Sequence, residues 1–271
     1  MKSLGRALWV DLRRASLSGS FWLSVAFFLC WMLFNSWSDL FLDIDGVRYF
    51  GAPYIFDLSI YGGLALGPIV LAIAAVSYAG SYLADREDGF DRQAARRVGI
   101  QSYCVSRVIS AALASFLAMA LAMALFLLLL SALGLPHTIP GPMGSYLDLV
   151  DEMEPWAYYL TEFLIKGLMC ALASVFSLMV TAWIPNFYVG LMCPLLAYYL
   201  YTLLLSVFLS VIGATGNGGT FFALFNLDRV IFGQVARENL FSLLWAVCYL
   251  VTFIVLCGKG FAAGVRKECG Q

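Results

Sequence analysis

Charge is the scarcest feature of this chain. Only 12% of its 271 residues are Asp, Glu, Lys or Arg, against about 25% in ordinary soluble domains. Histidine is nearly missing, with His137 alone, and no two of the seven cysteines stand at CxxC spacing. No His/Cys set of the kind that holds zinc can be assembled, so no metal site is expected and the cysteines read as free thiols. A phosphate-binding loop is also lacking. It needs Gly five residues before Gly-Lys and Ser or Thr after it, whereas Phe253 and Gly260 flank Gly258-Lys259 in those places. No Asp lies deep in an apolar run and His137 lies in a loop, which leaves no acid-base or nucleophile set for an intramembrane hydrolase. No catalytic residue and no directly bound cofactor is expected. A net charge of -1 gives nucleic acid no electrostatic footing.

What the sequence does have is apolar length. Hydrophobic residues make up 62% of it, and the mean hydropathy is +0.86, the composition of an integral membrane protein. Runs long enough to cross a bilayer are predicted at about 21–37, 60–84, 108–133, 160–184, 187–212 and 240–256. Pro185-Asn186 alone turns the chain between the fourth and the fifth. The whole chain, 1–271, reads as one all-α integral membrane domain of six transmembrane helices. Ahead of them, Leu4, Ala7, Leu8, Asp11 and Leu12 recur at helical spacing beside Lys2, Arg6, Arg13 and Arg14. That pattern fits an interfacial helix on the bilayer surface, or a basic flank that orients the first span. No small-residue cleavage site follows the first apolar run, so a removed signal peptide is not expected.

Between the spans, the charges segregate. The loop after the first span holds Asp39, Asp43, Asp45 and Asp57 with Arg48, and the one after the third holds Asp148, Asp151, Glu152 and Glu154 with no cation. Twelve of the sixteen cations fall on the N-terminus, the loop after the second span and the C-terminal tail. The positive-inside rule and the six-span count therefore agree on a cell-membrane protein with both termini cytoplasmic. The segment 213–239, too apolar for a free loop and too interrupted for a span, is expected to be an outer re-entrant or interfacial element. In the second span, Gly63 and Gly67 form a GxxxG that suits close helix packing, within one subunit or between two. Glu162 and Lys166, four residues apart, read as a local helix pair with a snorkelling lysine.

The densest charge lies between Asp85 and Arg107, with nine of the chain's thirty-three formal charges. Within it Asp88 is placed to cap a helix of about Gly89 to Val98, with Arg96 and Arg97 in its last turn and Gly99 as its stop. Phe90, Ala94, Ala95 and Val98 give it an apolar face and leave a charged face open. The segment is then a partner-binding cytoplasmic helix, or a solvated loop that only fixes topology.

This order of parts resembles the permeases of the ABC type-2 exporter family. The resemblance covers nearly the whole chain. It rests on the basic N-terminal segment, the six spans, the EDGFDRQ motif after the second span, Ser106-Arg107 before the third, and the tight turn in SLMVTAWIPNFYVGLMCP. It departs from the family at Tyr103, Cys104 and Val105, where a proline often precedes the Ser-Arg pair. The resemblance implies a half-transporter, paired with a second permease subunit as homo- or heterodimer. ATP and magnesium would be held by a separate cytoplasmic ABC ATPase. The loop after the second span would then be the coupling helix, with Glu87, Asp88, Gly89, Phe90, Arg92 and Arg96 as its contacts. The cargo, moved outward, would be a peptide, a lipid-linked molecule or a hydrophobic small molecule. The alternative reading is a membrane anchor or assembly protein whose loop binds a partner.

Overall fold

The computed structural model describes residues 2–40, 43–44, 47–48, 51–61, 69–89, 93–94, 97–137, 155–211, 225 and 239–269. Eight helices run through them: α1 Lys2–Leu17, α2 Gly19–Leu40, α3 Ala52–Tyr61, α4 Ile69–Glu87, α5 Ile100–Ala132, α6 Pro155–Trp183, α7 Phe187–Val211 and α8 Asn239–Glu268. Between α2 and α3 a small hairpin pairs β1 (Asp43–Ile44) with antiparallel β2 (Val47–Arg48). Helices α2, α5, α6, α7 and α8 are each long and apolar enough to cross a membrane, the build of a multi-pass membrane protein.

Helix boundaries follow from local chemistry. The Ser18 hydroxyl accepts the Phe21 amide at 3.2 Å, so α1 ends and α2 begins at a serine cap. At the α6–α7 turn the Asn186 side-chain oxygen accepts the Tyr188 amide at 2.9 Å, capping α7 beside Pro185. α7 carries Pro194 inside it, and a proline offers no amide to the carbonyl four residues back. That carbonyl, on Gly190, accepts instead from the Ser177 hydroxyl of α6 at 2.7 Å. The kink-prone position is thus stitched to its neighbour.

α6 is the centre of the bundle, packed on α4, α5, α7 and α8, while α2 lies on α3, α4 and α5. Close approach comes from a stripe of small residues on α5, Ala111, Ala114, Ser115, Ala118 and Ala122, all buried. Ser115 donates to the Cys170 carbonyl of α6 at 2.9 Å. Dispersion and such polar contacts, rather than water exclusion, hold helices together in lipid. α7 is the least enclosed crossing helix; most of its large side chains, among them Leu200, Leu203 and Leu204, face outward.

Several boundaries differ from those expected from sequence. Of the run 60–84, the described residues belong to α3 up to Tyr61 and to α4 from Ile69; residues 62–68, with Gly63 and Gly67, lie outside the described ones. The third long helix starts at Ile100, two turns before its apolar run, because Arg107 finds partners inside the protein. The C-terminal tail is helix as far as Glu268, with Arg266 and Lys267 in the last turn, where cations suit the helix dipole. The outer element expected at 213–239 lies almost wholly outside the described residues.

Candidate functional site

At the end of the bundle where α1 lies, charged side chains from four helices meet the last turns of a fifth. α1 supplies Asp11 and Arg14, α4 supplies Tyr78, Asp85 and Arg86, α5 supplies Ser106 and Arg107, and α8 supplies Glu268. The fifth helix, α6, offers carbonyls from its last turns.

Arg107 is the pivot. It is 1% exposed, and a buried guanidinium persists only when its charge and its donors are matched. Its guanidinium pairs with the Asp85 carboxylate and donates to the Tyr78 hydroxyl at 2.9 Å. Asp11 stands 3.8 Å away, and the ring of Tyr103 lies under the guanidinium at 5.3 Å. Asp85 in turn takes Arg14 at 2.7 Å, and the Ser106 hydroxyl donates to Asp11 at 2.6 Å. Two carboxylates and two guanidinium groups therefore balance. Because Asp11 and Arg14 both belong to α1, the same contacts that neutralise Arg107 clamp α1 across α4 and α5.

Arg86 makes a second tie. One guanidinium nitrogen donates to the carbonyls of Thr181 at 2.9 Å and Ala182 at 3.2 Å, capping the end of α6. Another pairs with Glu268 of α8 at 2.8 Å. Terminal carbonyls carry partial negative charge, so a cation there satisfies both hydrogen bonding and the helix dipole. The starts of α2 and α5 and the ends of α4, α6 and α8 thus lie at one end of the bundle, together with α1.

Next to this clasp are the residues expected to contact a partner. Glu87 closes the last turn of α4, and Glu87 and Asp88 are both exposed. The Asp88 amide bonds Ala84 O and the Gly89 amide bonds Arg86 O, with Gly89 at φ 67°. Gly89 is the left-handed stop of α4, a conformation that glycine adopts without strain. Gly99, at φ 90°, separates helical Arg97 and Val98 from α5. Between these two glycines, Ala94 and Val98 are half-buried while Gln93 and Arg97 are exposed. Phe90, Arg92 and Arg96 lie outside the described residues.

A second buried set lies toward the opposite end. Glu162 and Lys166 of α6, each 1% exposed, pair at 3.3 Å, and Asp57 of α3 is within electrostatic reach of both. The snorkelling lysine expected from sequence is therefore enclosed. Nearby, His137 is within 3.0 Å of the Tyr159 hydroxyl and 3.3 Å of that of Ser131, an interhelical polar link.

Among the described residues no three His, Cys, Asp or Glu side chains converge as metal ligands, and all seven cysteines are free. The Asp11–Arg14–Asp85–Arg107 clasp is hidden in the sequence, where Asp85 and Arg107 stand as the two ends of one charged segment. One signal was there: Asp11 falls on the apolar stripe of α1, where an acid needs a buried partner. Comparison with protein-family models, curated proteins and solved structures gives no match.

Proposed function

We propose that the chain is the membrane-spanning permease subunit of an ATP-binding-cassette exporter, driven by ATP hydrolysed on a separate ATPase subunit. The observation that carries this reading is the clasp itself. It fixes α1 rigidly beside the turn that presents Glu87 and Asp88, so a force applied there would reach α4, α5, α6 and α8 together. In this reading α3 and α4 together account for one crossing, which brings the count to six and leaves both termini in the cytoplasm. The gathering of helix ends around Arg86 and Arg107 supports that count, since an even number of crossings returns the chain to its starting side.

The residues Glu87 to Arg96 then form the coupling element, with Glu87, Asp88, Gly89, Phe90, Arg92 and Arg96 as contacts to the ATPase. A second permease subunit completes the path, and the exposed face of α7 supports a place for it. The cargo class is a peptide, a lipid-linked molecule or a hydrophobic small molecule.

Co-expression with an ABC ATPase and affinity capture from solubilised membranes tests the reading. Stoichiometric recovery of the ATPase, abolished by Glu87→Lys with Arg92→Glu in a chain that still inserts, is the expected result. Capture of a partner with no ATPase fold at that loop would favour an anchor or assembly role instead.

A further inference from the structure

α5 and α8 run antiparallel and leave an open groove of about 610 Å³ between them. Its walls are apolar, chiefly Val105, Val108 and Ala112 of α5 and Ile254 of α8, with Gly258 drawn so near α5 that an added Cβ would meet Val108 at 3.1 Å. Toward the clasp end the lining changes to Gln101, Lys259 and Arg266. Lys259, Ala262 and Arg266 are spaced to share one helix face, and both cations are exposed. Among the described residues neither makes an ion pair, and no Asp or Glu lines the groove. No side chain caps the first turn of α5 at Gly99, so the amides of that turn add positive potential at the same end.

An apolar trough about 18 Å long, from Gln101 to Leu113 at helical rise, that ends in two cations with no ion pair among the described residues matches one chemistry. We propose that this groove binds an anionic phospholipid. One acyl chain lies along Val105, Val108 and Ala112, and the phosphate is held by Lys259, Arg266 and Gln101. Lys259 sits two turns inward from Arg266 on a surface otherwise facing acyl chains. A bare ammonium there is costly, and a lipid phosphate offsets it. The inference requires only that the chain sits in a bilayer, so it stands or falls separately from the exporter reading.

Native mass spectrometry of the delipidated full-length protein, titrated with phosphatidylglycerol or phosphatidylcholine, tests it. Phosphatidylglycerol is expected to be retained preferentially. The Lys259→Gln/Arg266→Gln double variant is expected to bind it about thirtyfold more weakly, at about fivefold per cation. Arg6→Gln/Arg13→Gln, which removes two cations from α1, is expected to leave retention unchanged. Equal binding of both lipids, or a double variant that binds as the unsubstituted chain does, overturns the proposal. So does a photoreactive side chain at position 105 that captures a second copy of the chain instead of lipid.

Discussion

Asp85 and Arg107, separated by 22 positions in the chain, form a buried ion pair between the last turn of α4 and the second turn beyond the start of α5. The pair brackets the 88–98 segment, so the two ends of that segment are tied together by charge. Arg14 and Asp11 extend the pair to α1. The base of the bundle is therefore held by electrostatics, whereas the crossing helices are held by small-residue packing.

Removing one member of the clasp should cost far more than removing an exposed ion pair. Asp85→Asn leaves Arg107 with only the more distant Asp11 carboxylate, and about 3–5 kcal/mol of stability is expected to be lost. Arg107→Lys should recover little, because an ammonium cannot span Asp85 and the Tyr78 hydroxyl as a guanidinium fork does. Thermal unfolding in detergent checks both. The Asp85→Asn/Arg107→Gln double variant should be less destabilised than the sum of the single ones.

The stitch at Pro194 gives a sharper cycle. Ser177→Ala strands the Gly190 carbonyl and should destabilise by about 1–3 kcal/mol. In a Pro194→Ala background the restored amide can reach that carbonyl, so the same serine change should cost markedly less. Equal costs in the two backgrounds would remove the stitch from the account. Gly190→Ala should be poorly tolerated as well, because its new methyl would overlap that of Thr181.

The enclosed Glu162–Lys166 pair should behave asymmetrically. Lys166→Met, which leaves the Glu162 and Asp57 carboxylates without a cation, is expected to destabilise by about 3 kcal/mol or more; Glu162→Gln, which leaves Lys166 facing Asp57, and the double change should each cost less than that. Stability curves for the three variants decide it; three small effects would mean that water reaches the pair.

Much of this fold is legible in the sequence, for physical reasons that also mark where legibility ends. Apolar runs announce α2, α5, α6, α7 and α8, since hydrocarbon tolerates no other long segments. Pro185-Asn186 announces the α6–α7 turn. Charge is harder to read, because the same arginine can mark a wet surface or a buried partner. Arg86, Arg107 and Lys166 all belong to the second kind, and only three-dimensional proximity to Glu268, Asp85 and Glu162 reveals it. The helix stop at Gly89 was similarly ambiguous, since glycine after an acid suits both the end of one helix and the start of the next.

The most direct test of the proposed exporter role is ATP hydrolysis by this chain and a co-expressed ABC ATPase reconstituted together in vesicles. The unsubstituted complex should hydrolyse ATP severalfold faster than the ATPase alone. Glu87→Lys/Arg92→Glu, inserted with all its crossings intact, should abolish that stimulation. Full stimulation by the charge-reversed chain would contradict the coupling role assigned to the loop between Asp85 and Arg107.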